Sequence, residues 1–320
     1  MVAALAVGAI VAFDSPPTDV AKDGPLDFAG AISGSYDDLP GMQPYRARNG
    51  STLHFRHYEG PAAARRLIVL IHGSGWHGMQ FHAMARALAG RGLGKVVVPD
   101  LRGHGPSPER RGDVDYIGQL EDDLADLIAF MKAGNAFDEV IVGGHSSGGG
   151  LVVRFAGGPH GALADRFILL APFLRYDAPT TKPGSGGWAH AATGRIVGLT
   201  MLNALHVTAF NDLPVISFAM PARVLDGPYG RTATTRYSFR LNQSFAPRAD
   251  YGADLAHMVQ PFLLLAGEND EAFFADRYES VISARSSGGT YLLLPGMGHI
   301  GVTIVPAAIE AVAGWIDPSR

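Results

Sequence analysis

Not one of the 320 residues is a cysteine. That excludes disulfides, thiolate-held metals, a cysteine nucleophile and a lipidated N-terminal cysteine. Positive charge is also short. The 26 Lys and Arg stand against 30 Asp and Glu, a formal −4, so the chain offers no basic face and no nucleic-acid partner is expected. Long apolar runs are missing too. The apolar start, residues 1–13 (MVAALAVGAIVAF), is shorter than the roughly 20 residues a membrane-spanning helix needs. It also lacks the positive stretch that precedes the core of a signal peptide. Three readings compete for it: a signal or anchor with a mis-assigned start, an interfacial segment, or an element packed on the domain. Of these, membrane association through residues 1–13, or export, is favoured over a cytoplasmic location.

What is present is a large core, with 47% hydrophobic and 18% charged residues. Residues 14–42 are rich in Pro, Gly, Asp and Ser and read as an irregular lead-in. Thr52 to Tyr58 alternates after the Asn49-Gly50 turn signal, so an edge hairpin strand is expected there, with His54 and His57 solvated. Leu67–Ile71, Val96–Asp100, Val140–Val142, Arg166–Leu170, Phe262–Ala266 and Thr290–Leu294 are apolar runs of the kind buried on both faces of a sheet. Helical spacing lies between them, at Gln80–Leu88, Tyr116–Met131, after Leu151, near Ala272–Ala284 and near Val305–Ile316. In the second of these helices Glu121, Asp122, Asp123 and Asp126 read as a solvated face. The alternation stops from about 175 to 254, where Gly, Pro, Thr and scattered aromatics surround one apolar helix near Arg195–Leu205. The fold class is therefore α/β, a mostly parallel sheet covered on both faces. Its expected parts are a lead-in (1–44), a core (45–174 and 255–320) and an insertion (175–254).

Chemistry gathers where these strands end, as open α/β sheets require. Gly144-x-Ser146-x-Gly148 follows a strand and opens a helix, the pattern of a nucleophile elbow. Ser147 competes, but Ser146 has the glycines on both sides. A serine hydroxyl needs a base, and the base needs an orienting group. His299, in the loop Gly296–Gly301 past the last strand, is the candidate base. Asp270, past Phe262–Ala266, is the candidate carboxylate, with Glu268 and Asp276 as rivals. The backbone N–H groups of Ser74 and Ser147 are the candidate oxyanion donors. Trp76 and His145 are candidate pocket residues, and His72 is read as structural. His72, His77 and His82 recur at a spacing that falls on no single face, so no metal site is expected, nor any cofactor.

Taken together, His72-Gly73, Pro99-Asp100-Leu101-Arg102-Gly103-His104-Gly105, Gly144-His145-Ser146-Ser147-Gly148-Gly149, Gly267-x-x-Asp270 and Gly298-His299 resemble the α/β-hydrolase family. The likeness is to its monoacylglycerol lipase and lysophospholipase-like branch. The resemblance implies a Ser146–Asp270–His299 triad and an oxyanion hole from Ser74 and Ser147. It also implies a cap formed by the insertion, between the sixth and seventh core strands. A serine esterase acting on a small-molecule ester or lipid is the implied activity. Acyltransferase, amidase or peptidase, cofactor-free haloperoxidase and non-catalytic binding protein remain as alternatives.

Overall fold

The computed structural model describes residues 2–18 and 24–319, with side chains from residue 8 onward in the first helix. Met1 of the apolar start and residues 19–23 of the lead-in lie outside the described residues. Eight strands form the main sheet in the order β1-β2-β4-β3-β5-β6-β10-β11. They are β1 (Met42–Arg46), β2 (Thr52–Tyr58), β3 (Arg66–Ile71), β4 (Lys95–Asp100), β5 (Glu139–His145), β6 (Arg166–Leu170), β10 (Phe262–Gly267) and β11 (Gly289–Leu294). Strands β7 (Ala189–Ala191), β8 (Pro214–Phe218) and β9 (Arg236–Ser238) form a separate antiparallel sheet between β6 and β10. From β3 to β11 the neighbours in the main sheet are parallel, so their C-terminal ends share one edge.

The expected apolar runs form the central strands because each is buried on both faces. All of Leu67–Ile71 and Phe262–Ala266 have no exposed surface. The expectation for Thr52–Tyr58 needs correction. This strand is second in the sheet, hydrogen-bonded to β1 on one side and β4 on the other, and its histidines are half-buried rather than solvated. The true edge, β1, begins three residues before Tyr45, inside the stretch expected to be lead-in. That lead-in also holds a short helix, Ala29–Ser33.

The helix Gln119–Ala133 overturns the reading of its acids. Glu121 and Asp123 are buried; Glu121 pairs with Arg154 and Arg248, and Asp123 pairs with Arg102 at 2.8 Å. The helix is packed on its polar side as well, so two of four acids became buried partners of arginines from other elements. The helix expected near Ala272–Ala284 is shorter, a single turn at Ala275–Arg277 running into Tyr278–Ser283. Its first residues turn instead around Asp270, whose carboxylate takes the N–H groups of Ala272 and Phe273.

The first helix, Val2–Phe13, packs on the helix Thr193–Ala204. Val11 is buried with Leu199, Val215 and Phe239, and Arg195 donates to the carbonyls of Val11 and Ala12 at 2.8 and 3.2 Å. Ile10 and Phe13 stay exposed. Among the described residues, no helix is long and apolar enough to cross a membrane.

Candidate active site

Ser146 sits between the end of β5 and the helix Ser147–Ala156, with φ 55° and ψ −120°. A side-chain-bearing residue rarely holds that conformation, so the surroundings must impose it. The N–H of Ser146 donates to Leu170 O at 2.9 Å, and its carbonyl receives the N–H of Phe173 at 2.9 Å. The glycines are required by close approach. A Cβ on Gly144 would stand 2.3 Å from Gly148 O, and one on Gly148 would stand 2.3 Å from His72 O. The turn therefore folds tightly on itself and against the end of β3. Ser147 opens the helix, where a backbone N–H has no intrahelical acceptor. Ser74, from the loop after β3, lines the same cavity as Ser146 and Ser147.

His299 and Asp270 meet from the loops after β11 and β10. His299 Nδ1 donates to Asp270 Oδ2 at 2.7 Å, with both residues almost fully buried. A carboxylate only accepts, so the ring hydrogen is assigned to Nδ1 and Nε2 is left as an acceptor. The other carboxylate oxygen receives Ala272 N at 2.8 Å and Phe273 N at 2.9 Å, which fixes its orientation. The rivals are elsewhere: Glu268 and Asp276 are exposed. His299 and Ser146 line one cavity. Among the described residues no hydrogen bond joins the Ser146 hydroxyl to the ring; such bonds are commonly long in empty sites and shorten when substrate binds.

Trp76 and His145 line that same cavity. His145 has both ring nitrogens engaged, one with Gln80 Nε2 at 2.6 Å and the other with the His299 carbonyl at 3.0 Å. Burial pushes its pKa well below the usual imidazole value, and the neighbouring His299 adds to that. His72 is likewise spent: Nδ1 bonds to Gly73 O at 2.8 Å, and Nε2 accepts from Leu101 N at 3.2 Å. Burial pushes its pKa down to about 4.

Four residues here were not legible as site residues. Gln80 accepts from Gly73 N at 2.9 Å while donating to His145. Glu271 accepts the backbone N–H of His299 at 2.7 Å. Trp188 donates from Nε1 to Ser74 Oγ at 3.1 Å, and the Tyr237 hydroxyl receives Gly75 N at 2.8 Å. The last two belong to the stretch expected to be the insertion, where aromatics are visible but nothing in the sequence pairs them with the loop after β3.

The model of the family described as serine aminopeptidase, S33 matches residues 62–300. An uncharacterized protein of Mycobacterium bovis is 32% identical over 136 residues, 41% of this chain and 38% of that protein. The monoacylglycerol lipase of Mycolicibacterium smegmatis is 32% identical over 91 residues, 28% of this chain and 32% of the lipase. The matches to these curated relatives thus span about a third of their length. Among solved structures, the Paleococcus ferrophilus monoacylglycerol lipase superposes with TM-score 0.61 at 18% identity, covering 82% of this chain and 98% of that one.

Proposed function

The chain belongs to the serine aminopeptidase, S33 family, a hydrolytic enzyme of α/β-hydrolase fold, and we propose that it cleaves carboxylic esters through an acyl-enzyme on Ser146. One observation carries the reading. A histidine held by a buried carboxylate lines the cavity of a serine that stands on a strained turn. In this reading His299 Nε2 takes the Ser146 proton as the hydroxyl attacks the acyl carbonyl. The same proton then goes to the departing alcohol. The N–H groups of Ser74 and Ser147 receive the oxyanion, and each such donor is worth about 3–4 kcal/mol in the transition state. Water, activated by His299, releases the acid and restores the serine.

The cavity walls favour esters over peptides with a free amino terminus. An aminopeptidase needs an acid to receive the substrate ammonium, and among the described residues neither cavity beside Ser146 has an acidic side chain in its wall. Their walls are mainly apolar, which supports a neutral, apolar small-molecule ester over a lysophospholipid, whose headgroup is charged. Residues 175–254 then act as the cap over the serine. Exposed Ile10 and Phe13 support a membrane-associated or exported location, tested by fractionating cells that express the chain with and without residues 1–13.

Ser146→Ala should lower ester turnover by at least about 10⁴-fold, as loss of the nucleophile does in serine hydrolases. A fluorophosphonate should label Ser146 in the wild type. Labelling at another residue, or near-normal turnover by the variant, refutes the proposal.

A further inference from the structure

Two cavities open on Ser146, with Trp188 in the wall of both. The first, about 60 Å³, includes Ser147 and is lined by Phe173, Ile216, Phe218 and Phe273. The second, about 20 Å³, includes His299, Trp76, Phe28 and Leu26. Trp188 is itself buried and held in place. Besides its bond to Ser74, it stacks on Phe218 with ring centroids 5.6 Å apart and leans on Phe28 at 5.8 Å. It thus touches one wall residue from each cavity.

The chemistry of acyl transfer assigns the two spaces, on the serine-hydrolase reading above. The departing alcohol takes its proton from His299, so it must occupy the cavity that has His299 in its wall. The acyl group stays bonded to Ser146 with its oxygen toward the Ser147 N–H, so its chain enters the first cavity. We propose that Trp188 is the partition between an acyl cavity and an alcohol cavity, and that the substrate is a short-chain acyl ester of a longer, apolar alcohol.

Size gives the first half of that claim. A cavity of about 150 Å³ takes a six-carbon ring. The acyl cavity, at about 60 Å³, is less than half of that, which fits roughly two to four carbons by the same measure. The alcohol side borders more space: behind its walls at Phe28, Ala31 and Trp76 lies a third cavity of about 60 Å³ that reaches Ile32, Tyr36, Arg223 and Val224, and a longer alcohol enters it where those side chains give way. Much of this path is built by residues 26–36, ahead of the first strand, so the lead-in contributes to alcohol selection. The partition is the reverse of a monoglyceride, whose long chain is the acyl part.

Two ester series test it on the purified full-length chain. One lengthens the acyl group of p-nitrophenyl esters from acetate to decanoate. The other lengthens the alcohol of acetate esters from ethyl to decyl. Wild-type kcat/KM should fall at least about 10-fold from butyrate to octanoate, a size discrimination within reach of an apolar pocket, and should hold or rise from ethyl to octyl acetate. In Trp188→Ala the octanoate-to-butyrate ratio should rise by about 10-fold or more. Ile216→Ala, also in the wall of the acyl cavity, should move the ratio the same way if the tryptophan variant does not fold. Because both esters are read on one sample, the folded fraction cancels. Octanoate cleaved faster than butyrate by the wild type overturns the partition, and so does an unchanged ratio in both variants. Cleavage of no ester at all, with the fluorophosphonate missing Ser146, overturns the hydrolase reading beneath it.

Discussion

Asp100 ends β4 and Asp270 lies just past the end of β10, on the same edge of one sheet, and each is buried beside a histidine. Their surroundings differ. Asp270 gives one oxygen to two backbone N–H groups and the other to His299 Nδ1 at 2.7 Å, leaving the far ring nitrogen to act as an acceptor. Asp100 instead receives Gly78 N at 2.8 Å and faces Arg56 at 3.5 Å, while His77 Nδ1 stands 3.6 Å away. His77 turns its other nitrogen to Thr232 Oγ1 at 2.7 Å, and His72 has both nitrogens bonded. Burial works to raise the Asp100 pKa, but the surrounding His77, Arg56 and His72 outweigh it and hold it at about 2. The same residue types thus make a candidate base at one place and a structural anchor at the other. The difference lies in whether the histidine lines the serine's cavity and, among the described residues, keeps a ring nitrogen with no hydrogen bond.

The comparison breaks most sharply at Asp270. Asp270→Asn should reduce kcat by about 10³–10⁴-fold, since an amide no longer selects the Nδ1–H tautomer; circular dichroism should show the variant folded. Full activity in that variant would erase the distinction. Asp100→Asn should do the opposite, costing up to about 3–5 kcal/mol by leaving Arg56 without its buried counter-charge. That loss is read from urea unfolding, with turnover per folded molecule close to wild type.

A gentler test uses pH. His72 titrates at about 4 in the folded chain, against an ordinary value near 6.5, because burial disfavours its charged form. Between those values the unfolded chain binds the proton and the folded chain does not. The stability contribution is therefore complete above pH 6.5 and is lost as pH falls toward 4. His104 and His145 are lowered by burial in the same direction. The melting temperature should drop steadily from pH 7 to pH 4.5, and His72→Gln should flatten that slope. A melting temperature constant across the range would contradict the burial argument.

Much of this was legible in the sequence where one local cause decides the outcome. Unbroken apolar runs such as Leu67–Ile71 have no solvated face to offer and so form central strands. Gly144 and Gly148 flank a serine because nothing larger fits the turn they make. Glu121 and Asp123 read as solvated for the opposite reason: a carboxylate beside an apolar stripe looks the same whether water or a distant arginine faces it. The strand Thr52–Tyr58 was expected at the edge because an alternating pattern does not reveal that a further strand pairs outside it.

The residue sequence alone determined the layered α/β framework, the turn that carries Ser146, and the sites past strand ends where a base and an acid belong. These follow from short-range sterics and from the burial of apolar side chains, which nearby residues encode. Only the tertiary structure decided which aspartate meets which histidine, and that Trp188 stands in the wall of both cavities at the serine. Those contacts join segments far apart in the chain, and their energies depend on distance and burial that no local pattern carries.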